Sequence, residues 1–234
     1  MSNQITEMLA ALSALHGDIA GKIPQIDARL QAILSSLSGA MGRKVFVDAA
    51  TGDDVDGLGT EESPVPSLDG AAKFMIPGGY YYVSLMTDLV VDSYVAIPAA
   101  SLTLASSEIG VKRRLSWAPE IDAIDTRAPT ITSTGRNCTI LCRDLRLATT
   151  QVSAHVTPRG MFYGRTNMFV DLFDCEMEVP AGANHAFLSG NALYAFWLNA
   201  VTVPAEMAGL WVDGYAAGTD PATVGRLLAA NTTL

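Results

Sequence analysis

Two hydrophobic periods divide the chain near Gly39. Ahead of that point, Ile5, Leu9, Leu12, His16, Ile19, Ile23, Ile26, Leu30, Ile33 and Leu37 recur in alternating steps of four and three residues. This is coiled-coil spacing, with Leu9, His16, Ile23, Leu30 and Leu37 at a and Ile5, Leu12, Ile19, Ile26 and Ile33 at d. Isoleucine at d disfavours a parallel dimer, so residues 1–40 are expected to form a helical trimerisation segment; an amphipathic helix docked on its own domain is the alternative. Pro24, preceded by Gly17 and Gly21, predicts a kink or break between Gly17 and Pro24. A polar His16 at an a position fixes register at some cost in stability, with a pH-sensitive seam as a second role.

After Gly42 the helical period gives way to short strand-like runs: "KVFVD", "YYYVSL", "LVVDSYVAI", "SLTLAS", "PTITST", "CTILCRDLRLAT", "MFVDLF", "MEV" and "VTV". Gly, Pro, Asn and Ser clusters separate them, and "SLDGAAKFM" is the one helical candidate, so residues 41–234 are expected to be mainly β. Three stretches line up, beginning at Asn137, Asn167 and Asn191 and each reaching a polar corner at Asp144, Asp174 or Asn199. Their starts lie 30 and 24 residues apart, within the range of one solenoid coil per repeat. Such a coil would stack Ile140, Leu145 and Leu147 on their equivalents. A β-sandwich, also built from short strands and turns, is the alternative fold.

Composition narrows the function. The chain has 234 residues, 49% hydrophobic and 17% charged, as expected of an ordered protein with extensive buried or intersubunit surface. A net charge of −9 lacks the basic footprint of a nucleic-acid binder; Lys112, Arg113 and Arg114 form the one tight basic cluster. No run of 18 apolar residues predicts membrane insertion, and the first residues do not read as an export signal. Cys138, Cys142 and Cys175 match no zinc or redox spacing and are expected to be reduced core residues.

The stretch "VFVDAATGDDVDGLG" gathers Asp48, Asp53, Asp54 and Asp56 among glycines. It fails the EF-hand pattern at its first and twelfth positions, so a turn is expected, with a structural cation as the lesser alternative. No metal or cofactor is expected.

The string "KVFVDAATGDDVDGLGTEESPVPSLDGAAKFM" resembles the opening of bacteriophage tail spikes and fibres built on right-handed parallel β-helices. "RAPTITSTGRNCTILCRDLRL", residues 127–147, is similar to a pectate-lyase-like coil. The resemblance covers most of residues 43–215 and is one of architecture. It implies a homotrimeric virion fibre or spike, of a phage or a phage-like gene transfer particle. A β-helical domain would attach to a host cell-surface glycan, and the N-terminal segment would seat the chain against other virion proteins.

Relatives of such spikes cleave polysaccharide with paired carboxylates, for which Asp171, Asp174, Glu176 and Glu178 are the candidates, the last three on one strand face. The sequence lacks the active-site motifs of polygalacturonases and pectate lyases, so a non-enzymatic protein is expected, with a depolymerase and a structural connector between virion parts as alternatives. His155 and His185 have no nucleophile or zinc ligands nearby and are expected in loops. Tyr80, Tyr81 and Tyr82, in "GGYYY", are the candidate glycan contacts, since aromatic faces pack on sugar rings. Of three consecutive strand residues the middle one faces opposite to its neighbours, so at least one side is external or at a subunit interface.

Overall fold

The computed structural model describes residues 42–119, 128–135, 137–153, 159–225 and 227–232, together with His16, Gly21, Lys22, Ile23, Ile26 and Arg29. Contacts divide the chain into two units, residues 1–40 and 41–234. In the first unit the six described residues are helical and exposed. The expected break therefore does not fall at Gly21, Lys22 or Ile23. Of the heptad positions, Ile5, Leu9, Leu12, Ile19, Leu30, Ile33 and Leu37 lie outside the described residues.

The second unit is mainly β, built from three parallel sheets. The long sheet contains β1 (Gly42–Val47), β2 (Tyr80–Leu85), β5 (Ser101–Ser106), β8 (Asn137–Arg143), β11 (Asn167–Phe173), β14 (Tyr194–Asn199) and β15 (Leu227–Ala230), in that order. A second sheet joins β3 (Leu89–Val91), β6 (Arg113–Trp117), β9 (Leu145–Ala148) and β12 (Glu176–Glu178). The third joins β4 (Tyr94–Ile97), β7 (Thr130–Ser133), β10 (Gly160–Gly164) and β13 (Ala186–Gly190). From β2 to β13 the chain visits the long, second and third sheets in turn, four times over. Every strand pairing among the described residues is parallel, unlike the antiparallel pairing of a β-sandwich.

Alternation sets the faces of the long sheet. Successive strand side chains point to opposite sides, so one residue set of each strand stacks directly on its counterparts. The inward set includes the ladder Tyr81, Leu102, Ile140, Val170 and Phe196, all buried. Leu145 and Leu147 are fully buried as expected, with Leu147 between Leu115 and Met177. Cys138, Cys142 and Cys175 are free and buried in the core. Large rings fill the far end: Phe187 meets Phe162, Phe196 and Trp211 edge-on, with centroids 5.3, 5.9 and 5.5 Å away. Edge-on contacts of this kind add to what apolar burial alone contributes.

The corner between the long and second sheets is a left-handed residue in successive circuits. Asp144, Asp174 and Ala200 have φ of 53°, 50° and 55°. Aspartate tolerates this region because its short side chain can bond locally, whereas alanine there is strained. The third repeat is thus corrected. Leu193 precedes Tyr194, the partner of Met168, so the level of Asn167 is occupied by Leu193 rather than Asn191, and the corner falls at Ala200 rather than Asn199.

The aspartate-rich stretch after β1 folds into turns. Asp48 accepts hydrogen bonds from the Ala50 amide and from the Thr51 and Thr87 hydroxyls, at 2.9, 2.7 and 3.0 Å. The Thr51 bond is the largest influence lowering its pKa, against an opposing effect of burial. Asp53 accepts from the Val55 and Asp56 amides. The expected helix follows as α1 (Leu68–Ala72): the Ser67 hydroxyl accepts from the Gly70 amide at 3.0 Å and caps it, while Leu68 and Ala71 enter the core.

Candidate ligand-binding face

Parallel sheets ordinarily have both faces covered. The outward face of the long sheet departs from this. Tyr80, Tyr82, Phe169, Phe173 and Trp197 all project from it and remain substantially exposed among the described residues. Scattered exposed apolar residues are ordinary, but a set sharing one sheet face is a candidate interaction surface.

The expected tyrosines divide as alternation requires. Tyr80 and Tyr82 face outward. Tyr81 is corrected: it faces the core, is 3% exposed, and its hydroxyl accepts the Ile76 amide at 2.7 Å, so it does not contribute to the outer surface. Around Tyr80 and Tyr82 lies a cleft of about 290 Å³ that Gly42, Lys44, Ser101 and Thr103 help to line. The Lys44 ammonium sits 5.5 Å from the centre of the Tyr82 ring and 4.3 Å from that of Phe46, so Tyr82 already has a cationic neighbour.

A larger groove, of about 360 Å³, lies farther along the same sheet. Thr139 of β8, Phe169 and Asp171 of β11, and Ala195 and Trp197 of β14 line it. The register explains the assembly. Phe169 lies beside both Thr139 and Ala195, while Asp171 lies beside Trp197. Phe169 and Trp197 are therefore diagonal neighbours, roughly 8 Å apart from the strand and residue spacings, with the carboxylate between their levels. Partial burial raises the pKa of Asp171. Among the described residues no cation lies within ion-pair distance of it; Arg143, on the neighbouring strand, pairs instead with Asp144 and lies over the Phe173 ring.

The other candidate carboxylates sit elsewhere. Lys112 lies 3.1 Å from Asp174 and 3.2 Å from Glu176, and Glu178 meets Arg114 at 2.7 Å and Arg146 at 3.7 Å. Burial opposes the charge on Lys112, yet the bonds to Asp174 and Glu176 carry its pKa above the ordinary lysine value. The basic cluster is thus used within the chain. Among the described residues no group of three or more His, Cys, Asp or Glu side chains is placed to hold a metal ion. His155 lies outside the described residues, and His185 falls in the segment between β12 and β13, a loop position as expected, but is fully buried.

The sequence does not mark Phe169 and Trp197 as a pair, although the outward alternation of Phe169, Asp171 and Phe173 within "MFVDLF" is a usable signal. Comparison of the chain with protein-family models, curated proteins and solved structures finds no match.

Proposed function

We propose that the chain is a non-enzymatic fibre or spike protein of a virion, whose second unit is a right-handed parallel β-helix that attaches to a host cell-surface glycan. The observation that carries this reading is the aromatic outer face of the long sheet, with two clefts bordered by Tyr80 and Tyr82 at one end and by Phe169 and Trp197 at the other. Rings on a stiff ladder can pack against sugar rings with little ordering cost, because sheet register has already fixed their spacing. The sequential visiting of three parallel sheets supports the β-helical reading.

The N-terminal heptads supply the assembly. Ile23 and Ile26, at a and d, are 54% and 56% exposed in the single chain, as befits seam residues that await other copies. Three chains joined there would present three glycan sites together, and weak sites gain avidity when linked. The same segment would seat the trimer against other virion proteins. Binding is favoured over polysaccharide cleavage because cleavage of this kind uses a pair of carboxylates, and of the four candidates Asp174, Glu176 and Glu178 have cationic partners within the chain, leaving Asp171 as the one without among the described residues.

The test measures the mass of the full chain by light scattering and its retention on a glycan array. A mass of three chains, reduced by Ile26→Asp, together with glycan binding reduced by Trp197→Ala or Tyr80→Ala, is expected. A monomeric full chain would overturn the assembly, and an array without any bound glycan would overturn attachment.

A further inference from the structure

Resting on the glycan reading above, we infer that the groove between β11 and β14 selects a sugar carrying a free, positively charged amine. The aromatic faces alone would accept the apolar side of many pyranose rings. Asp171 restricts the choice, because it is the charged group lining this groove, it lies beside Trp197 and two positions along the strand from Phe169, and no cation of the described residues pairs with it.

Charge complementarity identifies the occupant. An ammonium group placed between the two rings would meet the carboxylate and the negative faces of both aromatics together, and partial desolvation strengthens both attractions. A uronic or sialic acid would bring a second negative charge into the groove of a chain that already carries −9. A neutral N-acetylated sugar could stack on the rings but would leave the carboxylate without a counter-charge. Volume is compatible: about 360 Å³ falls at the lower end of the range for small-ligand pockets. The Thr139 side, across Phe169 from Ala195, offers a hydroxyl for the remaining polar groups of the sugar.

Trp197 provides an intrinsic probe, since Trp117 and Trp211 are each 2% exposed whereas Trp197 is 46% exposed. The full chain is titrated with a glucosamine tetrasaccharide, its fully N-acetylated counterpart and a galacturonic acid tetrasaccharide, by calorimetry and tryptophan fluorescence at pH 6, where the glucosamine amines are largely protonated. The glucosamine oligomer is expected to bind and to perturb Trp197. Asp171→Asn, which preserves shape at a partly exposed position, should weaken it about tenfold or more, the scale of a hydrogen bond to a charged group.

Equal or tighter binding of the N-acetylated oligomer, with no effect of Asp171→Asn, would overturn the amine selectivity while leaving glycan attachment standing. Preferential binding of the acidic oligomer would do the same. Failure of all three tetrasaccharides overturns the selectivity proposed for this groove, and a blank glycan array in addition overturns attachment. Shielding of Trp197 from acrylamide in the assembled oligomer would overturn the site itself by showing that another copy occupies the face.

Discussion

His185 provides the sharpest test of how the core is built. Its side chain is fully buried beside Trp117, with ring centroids 6.4 Å apart, and neither ring nitrogen has a hydrogen-bond partner of normal geometry. Burial pushes its pKa down from 6.5 to about 4; the positive charge of Arg159 acts in the same direction, while the Gly160 backbone opposes it. The folded chain therefore keeps His185 neutral at pH values where the unfolded chain binds a proton. Stability is unaffected above the unfolded pKa of 6.5 and falls as pH drops from there toward 4. The full drop corresponds to about 3 kcal/mol, most of it lost by pH 4.5.

The assay is urea unfolding of the wild type and His185→Leu at pH 7.5 and 4.5, followed by tryptophan fluorescence. Other titrating groups are shared, so the difference between the two pH responses isolates His185. The wild type should lose about 2–3 kcal/mol more than the variant across this interval. At pH 7.5 the variant should be no less stable, since leucine removes two buried ring nitrogens that lack a hydrogen-bond partner of normal geometry. Parallel pH responses would refute the reasoning, because they would mean that the imidazole reaches water, or that the Gly160 backbone offsets its burial, in the folded chain.

Two further perturbations test the aromatic core and the corners. Phe187→Ala should destabilise by about 3–5 kcal/mol and Phe187→Leu by less, since leucine fills much of the space but loses three edge-on ring contacts; unfolding midpoints check the order. Ala200→Gly should raise stability by roughly 0.5–1 kcal/mol, because relief of the left-handed strain outweighs the added freedom of the unfolded chain. A lower melting temperature for Ala200→Gly would count against the strained corner.

How much was legible in the sequence depended on how each strand is covered. β2, β8 and β11 have one face in the core and one more open, so their period of two stands out in the letters. β10 and β13, "GMFYG" and "AFLSG", show no such alternation because nearly all their residues are buried, so the sequence does not mark them as strands. Glycine there reads as a breaker in the sequence. In the structure Gly160 is required because a Cβ would collide with Ser189 on the adjacent strand. β6, "RRLSW", was obscured by its arginines; Arg114 reaches Glu178, 64 residues away in the chain.

The groove was harder to read for a related reason. Phe169, Asp171 and Trp197 meet only when β14 stacks on β11 in one register, and the asparagine-led alignment set β14 two residues out of step. A slip of two preserves which side chains face outward, since the strand period is two, but moves each of them one place along its ladder. Asp171 then stands beside Ala195 instead of Trp197 and reads as one more surface acid. The corners carry the information that resolves the slip. Asp144 and Asp174 sit immediately after β8 and β11, and Ala200 sits immediately after β14, so counting back from the strained residue, rather than forward from the asparagine, places Trp197 beside the carboxylate. Aspartate announces a left-handed corner in the sequence and alanine does not, which is why the face was legible in outline and its groove was not.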